Sequence, residues 1–300
     1  MIEALLAKAK ACYLEKDLRG ALNYYLEIES IINDSIELLI EIALLYDELG
    51  EVKTAINYYE KALLIDSDDA RCYYGMATIY DNLKQTEKAI AYYKEAIRLE
   101  PNYYEAHFFL ANIYDENKKV MLAIYYYEKV IAINPKYFYA YLNLGSIYES
   151  LNENDKALNL FLKAEEINQN NHLLYFNFGV VYNKFNETDL AIESYKKSLL
   201  LSTNYAYTYL NLAIIYKDKF HDYHKAIEIY TEGIKHHPEA DVLFYNRACC
   251  YALSGENKKA IKDLQSAIKL YRDLYKYMLI DEELNELRQS PNFYDYFNFN

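Results

Sequence analysis

Four asparagines, Asn143, Asn177, Asn211 and Asn246, recur at steps of 34, 34 and 35 residues. A primary amide offers a donor and an acceptor together, the pair a peptide backbone requires. A ladder of such groups can therefore hold an extended segment without reading its side chains; the bland alternative is that each amide bonds to its own scaffold. Interleaved with them are Tyr139, Leu142, Leu173, Phe176, Val180, Tyr207, Leu210, Ile214, Val242 and Tyr245. Such a row marks a binding surface if it faces solvent. It is core if a neighbouring segment, or the aromatic C-terminal stretch Phe293–Phe299, covers it. Earlier in the chain, positions on the same side of the corresponding segments carry charge: Glu41, Asp47, Asp81 and Asp115, with Glu3, Glu37, Glu48, Glu105 and Glu116, against only Lys10 and Arg71. Nine carboxylates facing two cations favour a partner rich in Lys or Arg, held more weakly as salt screens the charges. Later in the chain, Glu149 and Asp218 are balanced by Lys184 and Lys217.

Other chemistries find little support. There is no nucleophile–base arrangement and no Gly-rich phosphate loop. His221 and His224 are separated from His236 and His237 by about 12 residues, roughly 18 Å of helix, too far to share an ion. Cys12, Cys72, Cys249 and Cys250 show neither CxxC spacing nor a disulfide framework. No catalytic residue, metal or cofactor is therefore expected. The net charge is −13, from 32 basic and 45 acidic residues, and no basic run exists. Nucleic acid and anionic membrane are thus poor partners. No run of about 18 apolar residues could span a bilayer, and no targeting segment is convincing, so a cytoplasmic location is expected.

What positions these residues is a repeat. Ala21, Ala55, Ala89, Ala123, Ala157 and Ala191 step by 34; Ala226 follows after 35 and Ala260 after 34. Tyr46, Tyr80, Tyr114, Tyr148, Tyr182 and Tyr216 also step by 34, which places the extra residue within Lys217–Lys225. Eight repeats follow, at 2–35, 36–69, 70–103, 104–137, 138–171, 172–205, 206–240 and 241–274, with a tail at 275–300. In the repeat at 70–103, Tyr73, Met76, Ala77 and Tyr80 fall at i, i+3, i+4 and i+7, one face of a helix. A turn near Lys84 precedes a second helix whose buried face is Ala89, Ile90, Tyr93, Ala96 and Ile97. Gly and Pro total 7 and 4, too few for the frequent turns of an all-β fold. Gly50 and Gly255 fall in the inter-helix turns, where a left-handed residue is useful. Small residues (Ala9, Ala43, Ala77, Ala111, Gly145, Gly179, Ala213, Ala248) recur where two helices must approach. Most of the 37 tyrosines are then structural.

The length, small-residue positions, aromatics and closing prolines Pro101, Pro135 and Pro238 resemble the tetratricopeptide repeat (TPR) family over 2–274. The resemblance implies an all-α, right-handed α-solenoid superhelix whose first helices line a concave groove. The tail, with Leu279, Ile280, Leu284, Leu287 and Phe293, resembles the closing segment of many bacterial TPR proteins and implies a helical cap on the open apolar end. The asparagines, the apolar row and the acidic row would then line the groove. TPR co-chaperones grip heat-shock chaperone carboxylate tails with a Lys, Asn and Arg set. Here Phe108, Leu173 and Asn177 stand where cations are needed, so such a tail is not an expected partner. The expected function is a non-catalytic interaction scaffold holding an extended peptide segment of a protein partner, basic or apolar in character. A peptide-sensing regulator, or an accessory or structural subunit of an enzyme complex, is the alternative.

Overall fold

The computed structural model describes residues 1–32, 34–291 and 293–297. They form two compact units, Met1–Ala140 and Tyr141 onward. In the first, helices run in consecutive pairs: α1 (Ile2–Leu14) and α2 (Leu18–Glu29), α3 (Ile36–Glu48) and α4 (Val52–Ile65), α5 (Ala70–Asn82) and α6 (Thr86–Leu99), α7 (Tyr104–Glu116) and α8 (Val120–Ile133). The series continues with α9 (Phe138–Ser150) and α10 (Asn154–Ile167), α11 (His172–Lys184) and α12 (Thr188–Leu201), α13 (Ala206–Phe220) and α14 (Tyr223–His236), α15 (Asp241–Leu253) and α16 (Asn257–Leu270). The short turns make each pair antiparallel. There is no strand among the described residues, and no helix among them is long and apolar enough to cross a membrane.

The repeating alanines explain the pairing. Ala21, Ala55, Ala89, Ala123, Ala157, Ala191, Ala226 and Ala260 have no exposed surface at all. Each lets a second helix approach its first at the short end of the usual 8–10 Å range. Glycine is required where the approach leaves no room for a Cβ: one on Gly145 would lie 2.4 Å from Phe161, and one on Gly179 2.5 Å from Tyr195. Tyr59, Tyr93, Tyr127, Phe161, Tyr195 and Tyr230 fill the space between helices and are fully buried.

The turn inside each helix pair contains one residue at positive φ. Gly50 and Gly255 supply it at φ 77° and 78°; Lys16, Lys84, Lys118, Asn152, Asn186 and His221 supply it elsewhere. The turn geometry thus prevails over the usual penalty of about 1–2 kcal/mol for a side chain in the left-handed region. The extra residue lengthens the helix rather than the turn, because α13 has 15 residues where the other first helices have 13.

The tail folds onto α16. It comprises α17 (Leu274–Met278), a 3-10 turn at Glu282–Leu284, α18 (Asn285–Arg288) and a second 3-10 turn at Phe293–Phe297. Met278, Leu284, Leu287, Phe293 and Phe297 join Leu264, Ala267 and Ile268 in one buried cluster. Arg288 Nη1 donates to the carbonyls of Met278 at 2.7 Å and Asp281 at 2.6 Å, which curls the segment back. Leu279 and Ile280 do not join the cluster and are 38% and 75% exposed, since this curl turns them outward. Phe299, the expected end of the aromatic stretch, lies outside the described residues.

Candidate peptide-binding faces

In the first unit, Asp47, Asp81 and Asp115 are the penultimate residues of α3, α5 and α7. A helix C-terminus carries partial negative charge, so a carboxylate there is unfavourable and a cation favourable. All three are half-buried, and burial is the main cause holding each above the ordinary carboxylate range. The like charge of Glu48 adds to this at Asp47, and that of Glu116 at Asp81, where Lys84 pulls the other way. At Asp115, Lys118 pulls the other way and Glu116 adds a smaller push upward. None of the three makes an ion pair among the described residues. The expected opposing cation Arg71 is already engaged, 2.5 Å from Asp69 and 3.6 Å from Glu37. Glu41 is exposed, and Glu48 accepts a hydrogen bond from the Tyr13 hydroxyl at 2.7 Å.

The second unit resolves its charges internally. Glu149, penultimate in α9, is 2.6 Å from Lys184. Lys217, on α13, is 7% exposed and bonds to Glu283 of the tail, with Asp218 at 3.4 Å. Asp281 of the tail accepts from the Tyr245 hydroxyl at 2.8 Å. Cys249, Asp281 and Glu283 bring potential ligand atoms within 4.8 Å of one another. Glu283 is already paired with the Lys217 ammonium and Asp281 is held by the Tyr245 hydroxyl, while burial followed by the Asp281 charge pushes the Cys249 thiol far up, away from the thiolate a metal needs. The arrangement is an ion-pair seat for the tail. The acidic run Asp281-Glu282-Glu283 was the sequence signal for it, and nothing in the helical periodicity pointed Lys217 inward.

The apolar row divides. Tyr139 and Tyr207 are 50% and 53% exposed. Phe176 is half-buried and packs edge-on against Tyr205, centroids 4.8 Å apart. Leu142, Leu210 and Tyr245 are buried, which corrects their placement on an open face. A helix inside a stack is covered on two sides, whereas a helical-wheel argument allows for one. Leu210 belongs to a core cluster with Tyr209, Ala213, Tyr230 and Leu243, and Tyr245 lies among the residues covered by the tail.

The asparagines are half-buried and engaged with the scaffold. Asn177 Nδ2 donates to Ser146 Oγ at 3.0 Å, Asn211 Nδ2 to the Tyr195 hydroxyl at 3.3 Å, and Asn246 Nδ2 to the Val242 carbonyl at 2.9 Å. Asn143 has a partner as well.

Sequence profiles described as tetratricopeptide repeat match residues 36–69, 70–103, 104–137, 126–159, 173–205 and 242–274. Among solved structures, the chain is similar to the APC/C hetero-tetramer Cut9–Hcn1 (18% identity, 94% of this chain and 54% of that one, TM-score 0.62). It is also similar to pilF of Pseudomonas aeruginosa (19% identity, 70% and 94%, TM-score 0.61). A third likeness is to YrrB, described as a TPR protein with an unusual peptide-binding site (21% identity, 61% and 95%, TM-score 0.52). These likenesses are of fold. The profile matches cover more than half of the sequence, and the paired helices, buried alanines and left-handed turns are their physical counterpart: the chain belongs to the tetratricopeptide repeat family.

Proposed function

We propose that this protein is an interaction scaffold whose first unit holds a cationic, extended segment of a protein partner across the ends of α3, α5 and α7. One observation carries the reading: Asp47, Asp81 and Asp115 repeat the same unfavourable arrangement three times, a partly dehydrated carboxylate at a helix C-terminus without an ion-pair partner. A Lys or Arg side chain brought to each would relieve both the burial cost and the dipole conflict. The 34-residue spacing suits a partner that presents its cations at intervals along an extended backbone. In the second unit the tail supplies its own counter-charges, so the open binding capacity there is apolar, around Tyr207 and Phe176.

The test is a calorimetric titration with a Lys/Arg-rich peptide and a Glu-rich peptide of equal length, at low and high salt. The basic peptide binds, its affinity falls as salt rises, and the D47N/D81N/D115N variant loses most of it. Equal affinity for the acidic peptide, or indifference to salt, overturns the reading.

A further inference from the structure

In the first unit the ring of Tyr58 stacks on Tyr46, centroids 5.4 Å apart and 24° between planes. Tyr80 with Tyr92, and Tyr114 with Tyr126, repeat the stack at 5.3 and 5.5 Å. The Tyr58 hydroxyl donates to Glu29 Oε2 at 2.8 Å, and Lys61 Nζ lies 4.1 Å from the ring centroid and 3.4 Å from Glu29. Glu29, Tyr46, Tyr58 and Lys61 have counterparts four repeats of 34 later, at Glu165, Tyr182, Ser194 and Lys197. Three of the four residues return unchanged, and the tyrosine has become a serine.

The consequence is a cavity of about 180 Å³ bordered by α10, α11 and α12, lined by Glu165, Tyr182, Ser194 and Lys197 together with Tyr175 and Phe178. Lys197 and Glu165 stay near each other at 3.7 Å. Tyr175 reaches the pair from α11: its hydroxyl donates to Glu165 at 2.9 Å, and Lys197 Nζ lies 3.9 Å from its ring centroid. Ser194 turns its hydroxyl back to the Leu190 carbonyl at 2.7 Å and so leaves the ring's place to solvent.

We infer that this cavity is a receptor for the side chain of an unphosphorylated tyrosine on a partner protein, seated as Tyr58 is seated within its own repeat. Each requirement of the occupant is set by a wall. Tyr182 stacks with Phe178 at 5.9 Å and also lines the cavity, where its ring can stack with an aromatic occupant at about 4.5–7 Å. Glu165 Oε1 already accepts from Tyr175, which leaves Oε2 for a second phenolic proton, as Glu29 Oε2 accepts from Tyr58. Lys197, which lies over the Tyr175 ring, borders the cavity and brings a cation beside the occupant as well. Glu193 also lines the cavity, and with Glu165 it sets two carboxylates against a phosphate. The site is separate from the carboxylates proposed above to bind a cationic segment.

Ligand-observed NMR on the full chain tests this with p-cresol, toluene, 4-methylphenyl phosphate and N-acetyl-tyrosinamide. The expected result is saturable binding of p-cresol and N-acetyl-tyrosinamide, toluene weaker by about 3–10-fold for want of the hydrogen bond, and no binding of the phosphate. Glu165→Gln weakens p-cresol and leaves toluene unchanged. Ser194→Tyr fills the cavity, abolishes p-cresol binding and raises the melting temperature. Failure of p-cresol to saturate, or unaltered binding to S194Y, overturns the proposal. An S194Y chain that melts lower or does not fold also overturns it, because the slot then does not fit a tyrosine ring. Binding of p-cresol without N-acetyl-tyrosinamide assigns the cavity to a free phenol and removes the protein partner.

Discussion

The two units treat the same structural place in opposite ways. At the penultimate position of its first helices, the Met1–Ala140 unit carries Asp47, Asp81 and Asp115 without an ion pair, each held above the ordinary carboxylate range chiefly by burial. In the unit that begins at Tyr141, the same register holds Glu149, matched by Lys184, the uncharged Asn183, and Lys217, which lies within the longer α13 and is matched by the tail's Glu283. Both stacks are built from the same helix pairs with the same buried alanines. Their cores therefore do not account for the difference. What differs is whether electrostatic conflict is settled within the chain or left standing, and a conflict left standing is what a ligand can exploit.

Removing the tail's grip is expected to have the largest effect. Phe293 is 1% exposed in the cluster with Leu264 and Ile268, and Phe293→Ala costs about 3–5 kcal/mol, as for other buried aromatics. Truncation after Lys276 lowers the melting temperature further and promotes aggregation. A truncated chain that stays monomeric with unchanged melting would show that the tail covers nothing important. Next, Glu283→Gln leaves the buried Lys217 ammonium with only the more exposed Asp218 opposite it, at a cost of about 1–3 kcal/mol. The double change with Lys217→Met recovers most of that loss in chemical denaturation, because no charge is then left stranded.

Asn177→Ala and Asn211→Ala come third. Each removes a hydrogen bond to the scaffold, so each lowers stability by about 1 kcal/mol. Peptide affinity measured on the same variants decides the ladder: unchanged affinity removes these amides from the binding face, and a parallel loss restores them.

The smallest effect belongs to the acidic row, and its sign is the informative part. Burial raises the folded-state values of Asp47, Asp81 and Asp115 above those of the unfolded chain, so the protonated forms favour folding and the ionised forms oppose it. The stabilisation is fully present below the unfolded value of about 3.9 and is lost as pH rises through the folded values. D47N/D81N/D115N therefore melts higher than the parent at pH 7, by about 0.5 kcal/mol or less per site. The gap narrows as pH falls towards 4. A variant less stable than the parent at neutral pH would place stabilising partners on these carboxylates.

Much of this was legible in the residue spacing. The alanine and tyrosine steps located the helices around Lys84 and the extra residue near α13, because a helix pair tolerates only small side chains at its contact. The acidic row was legible too, since charge at a fixed register needs no tertiary knowledge. The burial of Leu142, Leu210 and Tyr245 was not, because it depends on what lies over the open side of each helix. Nor was the serine at 194 visible as a feature: its meaning comes from the cavity, and the cavity from comparison with Tyr58.

The first and the last helix pairs are also unequal. Helix α1 has only Leu5 and Ala9 buried, and its Leu14 is 83% exposed, while α16 buries Ala260, Ile261, Asp263, Leu264, Ala267 and Ile268. In a linear array each repeat leans on its neighbours, so unfolding starts where the last repeat leans on least. Amide protons of α1 and α2 should therefore exchange with solvent well before those of α15 and α16, so that the first pair opens before the last.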